Sequence, residues 1–313
     1  MMKNIFKSSD VKRKLGIVAS LLVLMLVFTV LTNKFLSAGN FRNILQQAAI
    51  NLCVAIGMTF VIITGGIDLS VGSVMALSGM IMAIVMNAGV HPILAVILGL
   101  VVGSLAGALN GVLIAKMQLQ PFLVTLGTMS AYRGLTLIIS NGLPVRGFST
   151  GYVQVMNSLN SSVPLPVILS LVLACVAFFV LKYLKFGQYL FALGGNEEAT
   201  RLSGIGTAKM KIMTYAFSGF CSVLAAIIFL GRLGAADPQA GDGYEMNAIA
   251  AAAIGGASLA GGKGSIVGTI IGCLILQTLN NGLTLLNVQS FYQTFAIGII
   301  VIIATIIDRY SSK

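Results

Sequence analysis

One carboxylate stands apart from the other ionisable groups of this chain. Asp68 lies in Thr64-Gly65-Gly66-Ile67-Asp68-Leu69-Ser70-Val71-Gly72-Ser73, a polar, glycine-rich stretch between two apolar runs. An acid in that setting fits a broken-helix turn beside a solute pathway. It equally fits a capped turn in which Asp68 or Ser70 accepts from the first amides of the next helix. Arg133 is the clear basic residue inside an apolar run, whereas Asp10, Glu197, Glu198, Asp237, Asp242, Glu245 and Asp308 fall in tails or loops. His91 precedes Pro92 at the start of an apolar run, where a turn at the membrane interface is a simpler role than a proton relay. Cys53, Cys175, Cys221 and Cys273 sit in apolar runs with no Cys-x-x-Cys spacing, which reads as four small buried side chains and not as metal ligands or disulfides.

No nucleophile–base arrangement, His-Glu-x-x-His or Gly-x-Ser-x-Gly occurs in the sequence. Ala257-Ser258-Leu259-Ala260-Gly261-Gly262-Lys263-Gly264-Ser265 imitates a phosphate-binding loop. It fails because Ala257 replaces the first glycine and Gly264 separates Lys263 from Ser265. A carrier driven by protons or ions keeps acids at membrane depth. Their scarcity here points to a partner ATPase as the energy source.

The elements that position these residues follow from composition. Of 313 residues, 57% are hydrophobic and 9% charged, against about 25% charged in a soluble domain. Mean hydropathy is +0.99. The predicted fold is all-α and polytopic, since a crossing needs roughly 20 apolar residues. Ten candidate spans are read at 15–32, 43–64, 74–88, 92–115, 121–140, 164–182, 212–231, 246–261, 265–285 and 290–308. The third and eighth are short and adjoin glycine-rich breaks, which places them inside the bundle. The first run is longer than the 7–15 residues of a signal h-region, so it reads as a retained helix.

Orientation follows the basic residues. With both termini in the cytoplasm, 14 of the 19 Lys and Arg fall on inner segments, 4 on outer ones, and Arg133 within a span. The net charge of +11 is therefore a topology signal and not a footprint for a polyanion. The domain plan is a cytoplasmic tail at 1–14, one transmembrane domain at 15–308 with a cytoplasmic loop at 183–211, and a cytoplasmic tail at 309–313.

Gly99, Gly103, Gly107 and Gly111 form one stripe at a spacing of four, and Gly264, Gly268 and Gly272 form another. Such stripes let neighbouring helices approach closely. In the inner loop, Asn196 suits an N-cap, Glu197 and Glu198 suit the positive end of a helix dipole, and Gly204 suits the position after the last turn. Glu197 and Arg201 are spaced as an i,i+4 pair. A helix of two turns is marginal alone, so either a docking partner or a solvated surface accounts for it. The outer loop Arg232–Glu245 concentrates three acids among Gly and Pro and reads as a connection or as a partner-binding surface. Spans 2–5 and 7–10 suggest two halves of opposite topology, with Gly-Gly-x-x-Leu at 65–69 and 255–259 as a hint of internal similarity.

From about Asn43 to Asp308 the sequence resembles the membrane permease subunit of ribose-type ABC importers. The segments that carry the resemblance are Gly65–Ser73, Leu193–Ile205 (LGGNEEATRLSGI), Gly243–Gly264 (GYEMNAIAAAAIGGASLAGGKG) and Asn280-Asn281-Gly282-Leu283. Glu198-Ala199-Thr200 followed by Gly204 resembles the E-A-A-x-x-x-G motif of importer permeases. By that resemblance Asn196, Glu197, Glu198, Ala199, Thr200, Arg201 and Gly204 form a cytoplasmic coupling helix that docks into the ATPase. Related permeases carry an acid at the position of Asn247, which here keeps hydrogen-bonding capacity without the charge. The resemblance implies the ABC importer permease fold, a second permease copy, an ATPase with its two cassettes often fused, and an extracytoplasmic sugar-binding protein. It implies D-ribose as cargo ahead of other pentoses, hexoses or furanose-like signals. ATP and Mg would be bound by the ATPase, with no cofactor in this chain, and the site of action would be the bacterial cytoplasmic membrane. Asn51, Thr64, Asp68, Asn110, Gln277 and Asn280 are polar positions in or beside apolar spans. They are candidates to line a path for a neutral sugar, or else to bond one helix to another.

Overall fold

The computed structural model describes residues 2–157 and 164–311. Its helices in chain order are α1 (Met2–Leu31), α2 (Ala38–Ile63), α3 (Val71–Asn87), α4 (Pro92–Lys116), α5 (Pro121–Ser140), α6 (Thr150–Asn157), α7 (Leu165–Tyr183), α8 (Lys185–Gly195), α9 (Glu197–Leu202), α10 (Thr207–Leu233), α11 (Tyr244–Ile254), α12 (Ile266–Leu285) and α13 (Ser290–Ser311). Two short strands, β1 (Val145–Arg146) and β2 (Ala235–Ala236), pair antiparallel with Val145 opposite Ala236. Nine of the ten expected spans coincide with a helix over most of their length. Among the described residues, six helices are long and apolar enough to cross a bilayer by themselves: α2, α4, α5, α7, α10 and α12. The eighth expected span, 246–261, is only half helical. α11 has 11 residues, about 16 Å at 1.5 Å per residue, and a glycine-rich turn follows it. The helices α6 and α8 and the β1–β2 pair were not anticipated.

Local chemistry sets the helix ends. Pro92 and Pro121 open α4 and α5, where the missing N–H costs nothing. The side chains of Ser37, Asn196 and Ser265 accept from amides in the first turns of α2, α9 and α12. His91 does the same for α4, its Nδ1 accepting from the Ile93 N–H at 3.3 Å, in keeping with a turn residue. Asn141 and Gly234 close α5 and α10 in the left-handed conformation.

The core is built around α2, which packs against α7, α10, α11 and α12. α4 lies on α10 as α12 lies on α2. α3 touches α4, α5 and α10, as α11 touches α12, α13 and α2. Exchanging α2–α5 for α10–α13 thus maps each contact onto its counterpart. α2 and α10 run antiparallel, since Gly57 meets Ser218 and Cys221 while Gly66 meets Tyr215. The expected halves of opposite topology are therefore present in the packing. The two Gly-Gly turns at 65 and 255 are not counterparts in that scheme, because one follows α2 and the other follows α11.

Both glycine stripes are contact surfaces. A Cβ on Gly103, Gly107 or Gly111 would collide with Val223, the Tyr215 carbonyl or Ile212 of α10. One on Gly268 or Gly272 would collide with the carbonyls of Gly255 or Ala251 beside α11. Close backbone approach supplies the dispersion contact that water exclusion cannot supply in lipid. Cys53, Cys221 and Cys273 are buried as anticipated, whereas Cys175 is exposed on α7.

Candidate functional site

Two regions collect the residues singled out by sequence. The first is α9. Asn196 Oδ1 accepts from the Ala199 N–H at 2.9 Å, and the buried Thr200 hydroxyl donates to the Asn196 carbonyl at 2.7 Å. Gly204 takes φ +82° and its N–H donates to the Arg201 carbonyl at 3.0 Å. The spacing of Glu197 and Arg201 suggested one ion pair, but the structure forms two others. Arg201 bonds Glu198 at 2.9 Å, and Lys211 at the start of α10 bonds Glu197 at 2.7 Å. Exposed pairs such as Arg201–Glu198 contribute little stability. Glu197, Glu198, Ala199, Arg201 and Leu202 all face outward.

α9 is mounted on rigid backbone. In the preceding α8, Leu190 and Leu193 are buried, and Gly194 lies against the Ile63 carbonyl and the Gly262 N–H. Gly262 N–H donates to that same Ile63 carbonyl at 2.9 Å. A Cβ on Gly261 would meet the Gly194 carbonyl and Gly65. The ends of α2 and α8 and the α11–α12 turn thus meet through glycine backbone. Gly261 (φ +91°) and Gly262 (φ +71°) also need a backbone conformation that other residues adopt at a cost.

The second region is the α2–α3 turn. Asp68 is buried, and its Oδ1 accepts from the Ser70 N–H at 3.0 Å and the Ser70 hydroxyl at 2.6 Å. Its Oδ2 accepts from the Ser218 hydroxyl on α10 at 2.8 Å. Asn110 on α4 donates to Ser70 Oγ at 2.8 Å, and the Tyr215 hydroxyl donates to the Ile67 carbonyl at 3.3 Å. The turn is therefore closed by Asp68 on Ser70 and tied to α4 and α10, while no side chain caps the first amides of α3, so the expected cap is not formed. Beside it, Gly72 is in backbone contact with Gly241 of the α10–α11 loop. Arg133 holds that loop, its Nη1 donating to the carbonyls of Pro238 at 2.6 Å and Ala240 at 2.9 Å. Arg232–Glu245 is thus a connection folded back into the bundle, with Pro238 and Gly241 buried.

The remaining pathway candidates lie elsewhere. Asn51 Nδ2 donates to Gln277 Oε1 at 3.2 Å across α2 and α12, and Gln277 also bonds Gln47. Asn40 and Asn281 exchange two bonds, at 2.9 and 2.8 Å, further along the same seam, and Thr59 bonds Thr269 at 2.7 Å. Asn51 and Gln277 thus bond helix to helix and belong to a different cluster from Asp68 and Asn110. Thr64 caps its own helix end by donating to the Val61 carbonyl at 2.7 Å. Four buried amide oxygens have no partner among the described residues: the Oδ1 atoms of Asn51, Asn110, Asn247 and Asn280. Sequence reading missed Ser218, Arg133's loop partners and Gly194. Ser218 could have been found as a hydroxyl one helix away from a buried acid, but Gly194 carried no signal beyond being a glycine.

Comparison with known proteins bears on this arrangement. No solved structure matches the chain. The ribose import permease protein of Bacillus subtilis (strain 168) is 49% identical over 305 residues, covering 96% of this chain and 94% of that protein. The ribose import permease protein of Escherichia coli (strain K12) is 45% identical over 296 residues, covering 93% and 92%. The D-allose transport system permease protein of the same strain is 41% identical over 302 residues, covering 96% and 93%. The family model described as branched-chain amino acid transport system / permease component matches residues 40–305, which takes in both regions described above, and the chain belongs to that permease family.

Proposed function

We propose that this chain is the membrane-spanning permease subunit of an ATP-driven importer whose cargo is D-ribose. The observation that carries the reading is similarity to ribose import permeases at 41–49% identity across more than nine-tenths of the chain. The exposed, capped α9 on its glycine mount suits a coupling helix for a separate ATPase. That ATPase would bind ATP and Mg, leaving this chain without a cofactor or a catalytic step, and an extracytoplasmic binding protein would deliver the sugar. The protein is a multi-pass protein of the bacterial cytoplasmic membrane. Ten membrane segments, both termini and α9 in the cytoplasm, a second permease copy and a fused double-cassette ATPase complete the proposal. The helices coinciding with nine of the ten apolar segments, the short α11 in the tenth, and the inner excess of basic residues support its topology. The four unpartnered asparagine oxygens offer acceptors to the hydroxyls of a neutral sugar. Asn51, Asn110 and Asn280 are the better pathway candidates on that ground, while Thr64, Asp68 and Gln277 hold structure.

The test is uptake into proteoliposomes carrying the chain with its ATPase and binding protein. Labelled ribose, allose and xylose are compared with and without ATP. Ribose accumulation that requires ATP and persists with an uncoupler is the expected result. Accumulation without ATP that collapses with the uncoupler would replace the proposal with a proton-coupled carrier.

A further inference from the structure

We infer that the α4–α5 turn, residues Met117–Gln120, is a second docking element for the ATPase that α9 engages, and that the two elements form the walls of one groove. The inference rests on the coupling role given to α9 above. An open groove of about 710 Å³ separates α9 from the α4–α5 corner. Glu197, Glu198 and Arg201 line one side, Gln118 and Leu119 line the other, and Lys211 lies between them. Both elements therefore stand on the same face of the bundle.

Three features make this turn more than a connection. Leu119, which lines the groove, is 44% exposed, and Met117 beside it and Leu202 at the end of α9 are 62% and 74% exposed, so exposed apolar side chains stand on both elements. Large apolar side chains flanking a groove mark an interaction surface. Gln118 takes φ +55°, the left-handed region that a side chain other than Gly, Asn or Asp seldom adopts. The repeat-related turn between α12 and α13 places Asn287 at φ +59°, and Asn tolerates that region far better than Gln. Gln118 thus places its side-chain amide on the groove wall from a backbone conformation that suits the Asn of the related turn better.

The occupant is a protein. Hydrocarbon would strand the four charged side chains that line the groove. Continuity with α9 names the protein as the one α9 docks into. Engaging both walls would let the ATPase pull on α4 and α5 as well as on the glycine mount of α8.

The experiment places a single photoreactive cysteine adduct on the intact complex in membranes, at Leu119→Cys, at Leu202→Cys, or at Leu143→Cys beyond the opposite end of α5, in a Cys175→Ser background. Leu119 and Leu202 are expected to cross-link to the ATPase and Leu143 to give no such product. Leu119→Asp is expected to cut ATPase retained on the purified permease at least tenfold. Leu119→Ala, which leaves insertion undisturbed, should cut it several-fold. ATPase adducts at Leu202 with only lipid adducts at Leu119 would overturn the second docking element while leaving α9's role intact. Adducts at neither would overturn both.

Discussion

Replacing Asp68 by Asn or by Ala separates a structural carboxylate from one that works by its charge. Asp68 accepts from three donors, with Oδ1 serving the Ser70 amide and hydroxyl and Oδ2 serving the Ser218 hydroxyl. Asp68→Asn keeps Oδ1 for both Ser70 donors. Only the Ser218 bond must be rebuilt, and that hydroxyl can turn to the Thr214 carbonyl one turn back on α10. The cost is then about one net hydrogen bond, ~1 kcal/mol. Asp68→Ala strands the Ser70 amide at the buried start of α3 and leaves both hydroxyls to find other acceptors. At roughly 1–3 kcal/mol for the stranded amide and about 1 kcal/mol for each hydroxyl bond given up, the sum is about 3–5 kcal/mol. Reversible unfolding in mixed micelles reads the stabilities, and ATP-driven uptake in proteoliposomes reads function. Asp68→Asn should keep uptake within a few-fold of the parent, whereas Asp68→Ala should lose folded protein. Ser218→Ala should cost about as much as Asp68→Asn, and the double variant clearly more than either, because the buried Asn Nδ2 then lacks the Ser218 oxygen that can accept from it. Uptake abolished in an Asp68→Asn protein of nearly parental stability would refute this reasoning, because the negative charge would then act in the transport cycle.

Two further perturbations probe the packing. Gly107→Ala places a methyl group against the Tyr215 carbonyl and should destabilise by about 1–3 kcal/mol. Gly127→Ala, on a face of α5 with nothing within 4 Å, should be neutral or stabilise by up to about 1 kcal/mol. Equal shifts for the two in the same unfolding assay would show that α4 and α10 are not in backbone contact. Arg133→Gln removes the donors to Pro238 and Ala240 and should raise maleimide labelling of an Ala240→Cys reporter several-fold. An unchanged labelling rate would show that Arg133 does not hold the α10–α11 loop.

The spans were legible because lipid leaves a long apolar run few alternatives to a helix. The cap of α9 was legible because Asn196, Glu197, Glu198 and Gly204 each act within a few residues along the chain. Ion pairing was less so: Lys211 takes Glu197 from outside the helix, a contact made by the return of α10 that no local spacing encodes. The polar candidates divided for the same reason. Asn51 and Gln277 find each other 226 positions apart, and Asp68 finds Ser218 at a separation of 150. Helical phase gives the face of a side chain but not the neighbour on it. The short α11 misled because Ala and Gly continue the apolar run beyond Ile254, where left-handed glycines at 256, 261 and 262 break the helix.

Those glycines also show how a small, exposed helix can act on a whole bundle. α9 begins three residues after Gly194, and Gly194 sits on the Ile63 carbonyl at the end of α2 and on Gly262 in the α11–α12 turn. α2 belongs to one half of the repeat, and α11 and α12 to the other. A displacement of α9 therefore reaches both halves through backbone alone, with no flexible side chain between them to absorb it. Packed interfaces of this kind switch between discrete arrangements in preference to deforming gradually. Beyond Ile63 the same turn leads to Asp68, which is tied to α10, and to Gly72, which lies on the loop held by Arg133. The chain of contacts thus runs from α9 to the opposite end of α10 through bonds whose partners are all identified. Asp68 holds the middle of that chain, so Asp68→Ala, which removes all three bonds, should lower ATP-driven uptake per folded molecule, whereas Asp68→Asn, which keeps both Ser70 bonds, should leave it within a few-fold.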